Sequence, residues 1–272
     1  SGMNILLDVL AYNTHYLGFN ANMLANEMFL DSASLRSSIV SHSKTLGYVP
    51  TSARAAKATV DVTLNTNETT ITMSAGTVFN TTVDGVSYKF STITDITKSN
   101  TGGGIPFLNT DIYEGTFITT RYTVNTSDID QRFLLTDNRA DTSTLTVKVQ
   151  TSSTDSTSTT YTEATDITQV TASSAVYFLQ EVEAGLYEIY FGDGVIGQAL
   201  SDDNIVILTY IVSNKAAANG AALFTNATVI GGVSDIAVAT VAAASAGSEP
   251  ETLQSIKYNA PLGYASQGRC VT

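Results

Sequence analysis

The run that comes nearest to a chemical site is Gly192-Asp-Gly194-Val-Ile-Gly197, a G-x-G-x-x-G pattern directly after the apolar stretch Leu186 to Phe191. In a dinucleotide-binding unit such glycines let a pyrophosphate approach a helix N-terminus, and an acid about 20 residues on holds the ribose. Neither condition is met. Gln198 to Asn204 is turn-like, more β-rich sequence follows, and Lys215 stands where the acid is required. Gly192, Gly194 and Gly197 read instead as structural turn residues supplying positive φ in a hairpin or bulge. Asp193, Asp202 and Asp203 fit no EF-hand spacing and read as solvated turn carboxylates. His15 and His42 are too far apart in sequence to form a metal pair and read as polar helix contacts. Cys270, the single cysteine, has no partner for a disulfide or a Cys-based zinc site and no acid/base pattern beside it. Paired carboxylates for glycoside cleavage stay open, but the chain has no Trp to stack a sugar. The sequence therefore assigns no catalytic residue, no cofactor and no metal ligand.

The composition points elsewhere. In 272 residues there are 13 basic and 25 acidic side chains, a net charge of −12, yet only 14% of residues are charged. An acidic chain repels phosphate backbones, so no nucleic-acid partner is expected. The apolar fraction of 43% is enough for a real core. Polarity comes mainly from Thr, Ser and Asn, which favours β structure. The N-terminus lacks a basic stretch ahead of its apolar residues, and Ile236 to Ala244 falls far short of the ~20 residues a bilayer span requires, so no membrane span is expected. The four N-x-Ser/Thr triplets at Asn67, Asn80, Asn125 and Asn226 are discounted, since Thr is abundant. The abrupt apolar start and the unterminated Arg269 to Thr272 read as an excerpt of a longer protein.

From Met3 to Leu30 the residues Ile5, Val9, Tyr12, Tyr16, Phe19 and Met23 recur at helical steps, with Leu6, Leu10, Leu17, Leu24 and Met28 as a second stripe beside them. That face is broader than a surface helix needs, so the first stripe is the candidate interface. Core packing against a second helix is the competing reading. That helix carries Leu35, Ile39, His42 and Leu46, capped by Asp31 or Ser32 and closed by Lys44 and Gly47. Residues 1–50 are thus expected to form a helical hairpin. After Pro50 the period drops to two at Ala58, Val60, Val62, Leu64, Ile71 and Met73. Asp84-Gly85, between Val83 and Val86, carries two-residue hairpin chemistry. Strands continue through Phe133 to Leu135, Leu145 to Val149, Ala175 to Leu179, Leu186 to Phe191 and Ile205 to Val212, with Thr151 to Thr160 as a turn. Helical crossovers are missing, so antiparallel sheets are expected. A helix restarts after Pro250. The fold class is α+β, mainly β.

Several segments together resemble a known family. They are Asn4-Ile-Leu-Leu-Asp-Val-Leu-Ala-Tyr-Asn13, Asn22 to Leu30, Leu35 to Tyr48, Tyr113-Glu-Gly115, Phe191-Gly-Asp-Gly194 with Gly197 and Tyr210, Gly247 to Glu251, and Ile256 to Pro261 with Arg269 to Thr272. In order and spacing this is similar to the gp6-like baseplate wedge proteins of contractile-tailed bacteriophages, in the baseplate-J family. Cys270 departs from the pattern, where a smaller residue is expected. The resemblance implies a structural virion subunit of the tail baseplate, assembled in the host cytoplasm, whose partners are other wedge proteins and further copies of itself. It also implies a β-domain of residues 128–213 inserted into one made of 51–127 plus 214–247, with 248–272 leading into further helix. A surface adhesin or carbohydrate-binding β-sandwich is the rival reading, motivated by the Thr-rich strands.

Overall fold

A computed structural model of the chain describes residues 2–128, 131–165 and 167–266. Cys270 and the closing Arg269 to Thr272 lie outside the described residues. The chain divides into two compact units: residues up to Pro50 with Glu181–Ala184 and the chain from Glu251, and residues Thr51–Gln180 with Gly185–Pro250.

The first unit is helical, with α1 (Gly2–Glu27), α2 (Arg36–Thr45) and α3 (Leu253–Ser266). Both N-terminal helices form, but α2 does not use α1 as its packing partner. Ile39 and Ala33 pack with Ile256 of α3, supported by the partly buried Leu30, Tyr48 and Leu253. The end of α2 follows the expected chemistry: Gly47 sits at φ 71 and donates to the Lys44 carbonyl at 2.9 Å, while Tyr48 N–H reaches the Ser43 carbonyl at 3.0 Å. Its start does not, since neither Asp31 nor Ser32 caps it and the N-cap position is Leu35. α3 begins at Leu253, two residues beyond Glu251, with Thr252 Oγ1 accepting the Ser255 N–H at 3.3 Å. Polar side chains tie this unit together. The Glu251 carboxylate accepts the Tyr48 hydroxyl at 2.9 Å, Ser255 Oγ at 2.6 Å and Asn259 Nδ2 at 2.9 Å. Burial and that carboxylate push the Tyr48 phenol up to about 12. Arg36 donates to the Glu251 carbonyl at 2.7 Å and clamps the buried Glu181 carboxylate at 2.6 and 2.9 Å.

The second unit holds β1 (Lys57–Leu64), β2 (Thr70–Met73), β3 (Val78–Val83), β4 (Val86–Ser91), β5 (Ile96–Ser99), β6 (Ile105–Glu114), β7 (Thr116–Thr123) and β8 (Phe133–Leu135). They are followed by β9 (Ala140–Gln150), β10 (Ser158–Glu163), β11 (Val176–Glu181), β12 (Tyr187–Phe191), β13 (Ile205–Val212), β14 (Thr225–Asn226) and β15 (Ile236–Ser245). One sheet has the order β14-β3-β4-β6-β1-β15, the other β7-β13-β9-β10-β11-β12-β8, and β2 pairs with β5.

Period-two alternation builds the first sheet's core. Ala58, Val60, Val62 and Leu64 are buried, as are Ile71 and Met73, and they pack with Phe79, Phe90, Phe107 and Phe224. Asp84 and Gly85 take φ of 50 and 80 between the paired Val83 and Val86, the two positive values of a type I′ hairpin turn. A bulge was not legible in advance: the β1–β6 register slips between Val60 and Val62, where Asn109 turns to φ 51 and donates its N–H to Asp61 Oδ1 at 2.7 Å.

The second sheet curls around a core of aromatic rings. Tyr122 on edge strand β7 donates to the Leu134 carbonyl on edge strand β8 at 2.7 Å, and the contacts Tyr122–Phe133, Phe133–Phe191 and Phe191–Tyr161 are all edge-on. Two expectations change here. Residues 151–157 of the expected Thr151 to Thr160 turn lie outside any strand, but Ser158 to Thr160 begin β10, and β10 pairs with β11 in parallel through Thr162↔Val176 and Glu163↔Tyr177. Two residues of parallel ladder need no long helical crossover, and among the described residues between β10 and β11 the regular element is a short 3-10 turn (Ile167–Gln169). The pairings around β1, β3, β9 and β13 are antiparallel, as expected.

The chain passes between the sheets at Gly115 and returns at Ser213, so β7 pairs into the second sheet although the expected boundary at residue 127 placed it with the first. Glu114 is 1% exposed, and its carboxylate accepts the Asn214 backbone N–H and side-chain Nδ2, both at 2.8 Å. Burial raises its pKa, partly offset by those two donors. Gly115 sits at φ +126, and a Cβ there would lie 2.3 Å from the Val212 carbonyl oxygen. Gly115→Ala is therefore expected to destabilise this unit by about 2–4 kcal/mol in chemical denaturation. Gly103→Ala, with nothing within 4 Å of its Cβ position, is expected to change stability little.

Candidate assembly surface

The α1 helix presents both apolar stripes to solvent. None of its residues is buried, and Ile5, Tyr16 and Met23 of the first stripe are 67%, 47% and 43% exposed. Val9, Tyr12 and Phe19 are exposed too, as are Leu6, Leu10, Leu17, Leu24 and Met28 of the second. The Tyr12 and Tyr16 rings meet at 4.5 Å, one turn apart. Twenty-six residues make a rod about 39 Å long, and within it only Asp8 and Glu27 are acidic and none is Lys or Arg. A helix apolar on more than one side is ordinarily a buried helix, stabilised by packing more than by propensity. The two stripes fit coverage from two sides, as inside a bundle.

The junction behind α1 is set by one carboxylate. Glu27 accepts the Ser34 N–H at 2.8 Å and Oγ at 2.6 Å, and the Leu35 N–H at 3.2 Å, so the last residue of α1 satisfies the free donors at the start of α2. Ser34 is the main reason that its pKa is lowered to about 2, against a small opposing burial. His42 Nε2 lies 2.9 Å from the Glu27 carbonyl oxygen, a helix-to-helix contact, while exposed His15 stands edge-on to Tyr16. Sequence reasoning missed Glu27 because it placed the cap in the residues immediately before α2.

The other residues singled out from sequence serve backbone geometry. The chain after Gly197 continues as coil to β13 without a helix. A Cβ on Gly192 would sit 2.3 Å from the Gly197 carbonyl carbon, so the loop is closed on its own backbone where a pyrophosphate would have to approach. Gly194 and Gly197 sit at φ 87 and 86, and Asp193 Oδ1 accepts the Val195 and Ile196 N–H groups at 2.9 and 3.0 Å. Asp202 Oδ1 accepts the Thr126 N–H at 2.9 Å, and among the described residues no cluster of three metal-ligating side chains occurs. A polar cleft between Asn65 to Asn67 and Gly102 to Gly104 is served by Asn100, whose amide bonds the Thr66, Glu68, Gly102 and Gly104 backbone. No helix among the described residues is long and apolar enough to cross a membrane.

What the described residues present is an uncovered apolar helix, two large β-sheets and carboxylates bound to turns. Residues 1–48 match the helical domain of the gp6-like baseplate wedge protein, and residues 116–225 match the third domain of the bacteriophage baseplate wedge protein gp6. Over its whole length the chain is 26% identical to the baseplate wedge protein gp6 of Enterobacteria phage T4 and spans 44% of that relative. The chain is thus similar to gp6-like baseplate wedge proteins in its helical segment and in its second sheet.

The Glu27 cap has a definite pH response. Its folded-state pKa lies below the ordinary carboxylate value of about 4.3, so its contribution is present above that value and lost as pH falls through about 2. The Ser34 and Leu35 amides are expected to be protected from hydrogen exchange at neutral pH and to lose protection, once corrected for intrinsic rates, on acidification through that window. Glu27→Gln should abolish the pH-dependent step.

Proposed function

We propose that this chain is a structural subunit of a phage tail baseplate wedge, bound through α1 to other wedge proteins and to further copies of itself in the ring around the tail hub. Ile5, Val9, Tyr12, Tyr16, Phe19 and Met23 form the interface, and their exposure on a helix without a single buried residue is the observation that carries the reading. The two β-sheets supply rigid spacing and lateral contacts. In place of the boundary at 127, the pairing of β7 supports a module of residues 116–213 set into the one formed by 51–114 and 214–247, with the junction at Gly115. Gly192, Gly194, Gly197, Asp84 and Gly85 are turn-forming residues with no chemical role. The family supports a virion component of the tail baseplate. Assembly in the host cytoplasm is part of the same proposal, as is the absence of catalysis. Nothing among these observations favours the adhesin reading.

The test is co-purification of the chain with wedge proteins. Tyr16→Asp with Phe19→Asp puts two charges into the buried centre of the proposed interface, and association is expected to weaken by at least about a hundredfold. Circular dichroism and unfolding of the β-unit should be unchanged. Unaltered co-purification would overturn the interface assignment.

A further inference from the structure

The six-stranded sheet ends in β14 and β15, and beside them lies a cleft of about 360 Å³ lined by Phe224, Thr225, Asn226, Ser234, Ile236 and Val238. The ladder bonds show which backbone groups point into it. Asn65 N–H donates to the Asp235 carbonyl at 3.1 Å, so in the antiparallel β1–β15 register Ala237 and Ala239 are the next residues bonded to β1. Ile236 and Val238 therefore turn their N–H and C=O groups outward. On the β14 side Ala227 N–H donates to the Val78 carbonyl at 3.0 Å, so Thr225 bonds β3 and Asn226 turns its backbone groups outward. Asn226 Oδ1 is also buried and has no hydrogen-bond partner.

Farther along β15 the chain supplies its own neighbouring strand. Gly220 N–H donates to the Ala244 carbonyl at 2.7 Å, Ala244 N–H to the Ala221 carbonyl at 2.8 Å, and Thr240 Oγ1 to the Ala222 carbonyl at 2.7 Å. Beyond Ala222 the chain leaves this line to pair with β3, so the neighbour strand stops where the cleft opens. No charged side chain lines the cleft, on a chain of net charge −12. Edge strands are usually blunted by charge or proline, whereas β15 reads IAVATVAAAS.

We infer that the cleft between β14 and β15 receives a short extended segment with uncharged side chains from a neighbouring wedge subunit, which pairs through its backbone with Ile236 and Val238 on one side and Asn226 on the other. This inference rests on the wedge reading for its partner and uses a surface separate from α1.

The experiment is hydrogen exchange of the full chain, alone and in the assembled wedge, combined with Val238→Pro. Proline at 238 removes an outward N–H and leaves the β1 ladder intact. The Asn226, Ile236 and Val238 amides are expected to exchange at least about tenfold more slowly in the assembly. The proline variant, folded by circular dichroism, should associate about tenfold more weakly than Val238→Thr. If the variant does not fold, the three amides decide alone. Unchanged exchange at these amides in an assembly that does form overturns the strand-addition inference and leaves the wedge reading standing. Equal association of a folded proline variant also overturns it, and protection in a dimer of the chain alone would identify a second copy in place of a different subunit and overturn the assigned partner. Failure to join any wedge assembly would instead refute the wedge reading.

Discussion

The chain crosses between its two large sheets at Glu114–Gly115 and again at Val212–Asn214, and one buried carboxylate holds both passages together. Glu114 donates its own N–H to the Ala56 carbonyl at 2.8 Å while its side chain takes both Asn214 donors. Removing such a carboxylate from water is costly unless its oxygens are satisfied, and here the satisfying donors come from the returning strand. A second buried acid repeats the logic: Asp141 on β9 accepts the Ala55 N–H at 2.8 Å and the Ser143 N–H at 2.9 Å. Ser52 and Thr142 add a further bond at 3.0 Å. The sheets are thus joined by directional bonds that lose their partners if either sheet turns relative to the other, and a common register follows.

Against that saturated interior, α1 stands out for what it leaves unmet. Each sheet buries one face of alternating residues in a closed core, and α2 with α3 buries a small one. The opening helix differs in that none of its residues is buried and its apolar side chains lie exposed along its whole length. In a chain with so few charges, solubility does not come from a dense ionic surface, so a large exposed apolar face is better explained by a partner than by tolerance.

Much of this was readable in the residues. Val60, Val62 and Leu64 alternate without ambiguity, Asp84-Gly85 leaves the hairpin little choice, and Gly47 before Pro50 ends α2 by local chemistry. The failures share a cause. β10 begins in Ser and Thr that look like turn residues, yet Tyr161 packs inward from it and its ladder comes from pairing with β9 and β11, which local composition does not report. The cap on α2 comes from Glu27, across a turn, and α3 replaces α1 as its partner through Ile256, more than two hundred positions away. Gly115 stood out only as part of a family-like segment and not for its geometry, because its need for a bare α-carbon arises from Val212, a contact made only after folding. For the site, the apolar stripe of α1 was plain in the spacing. That none of the described residues covers it was not, since periodicity reports which face is greasy and is silent on what meets it.

The close approach of Gly115 to Val212 has an evolutionary side. Segments whose two ends lie side by side are the ones that protein lineages gain, lose and exchange, because the host strands need no rebuilding when the cargo between them changes. Glu114 and Asn214 then act as a socket, and a segment of another length or shape set between them leaves β1, β6 and β15 unchanged.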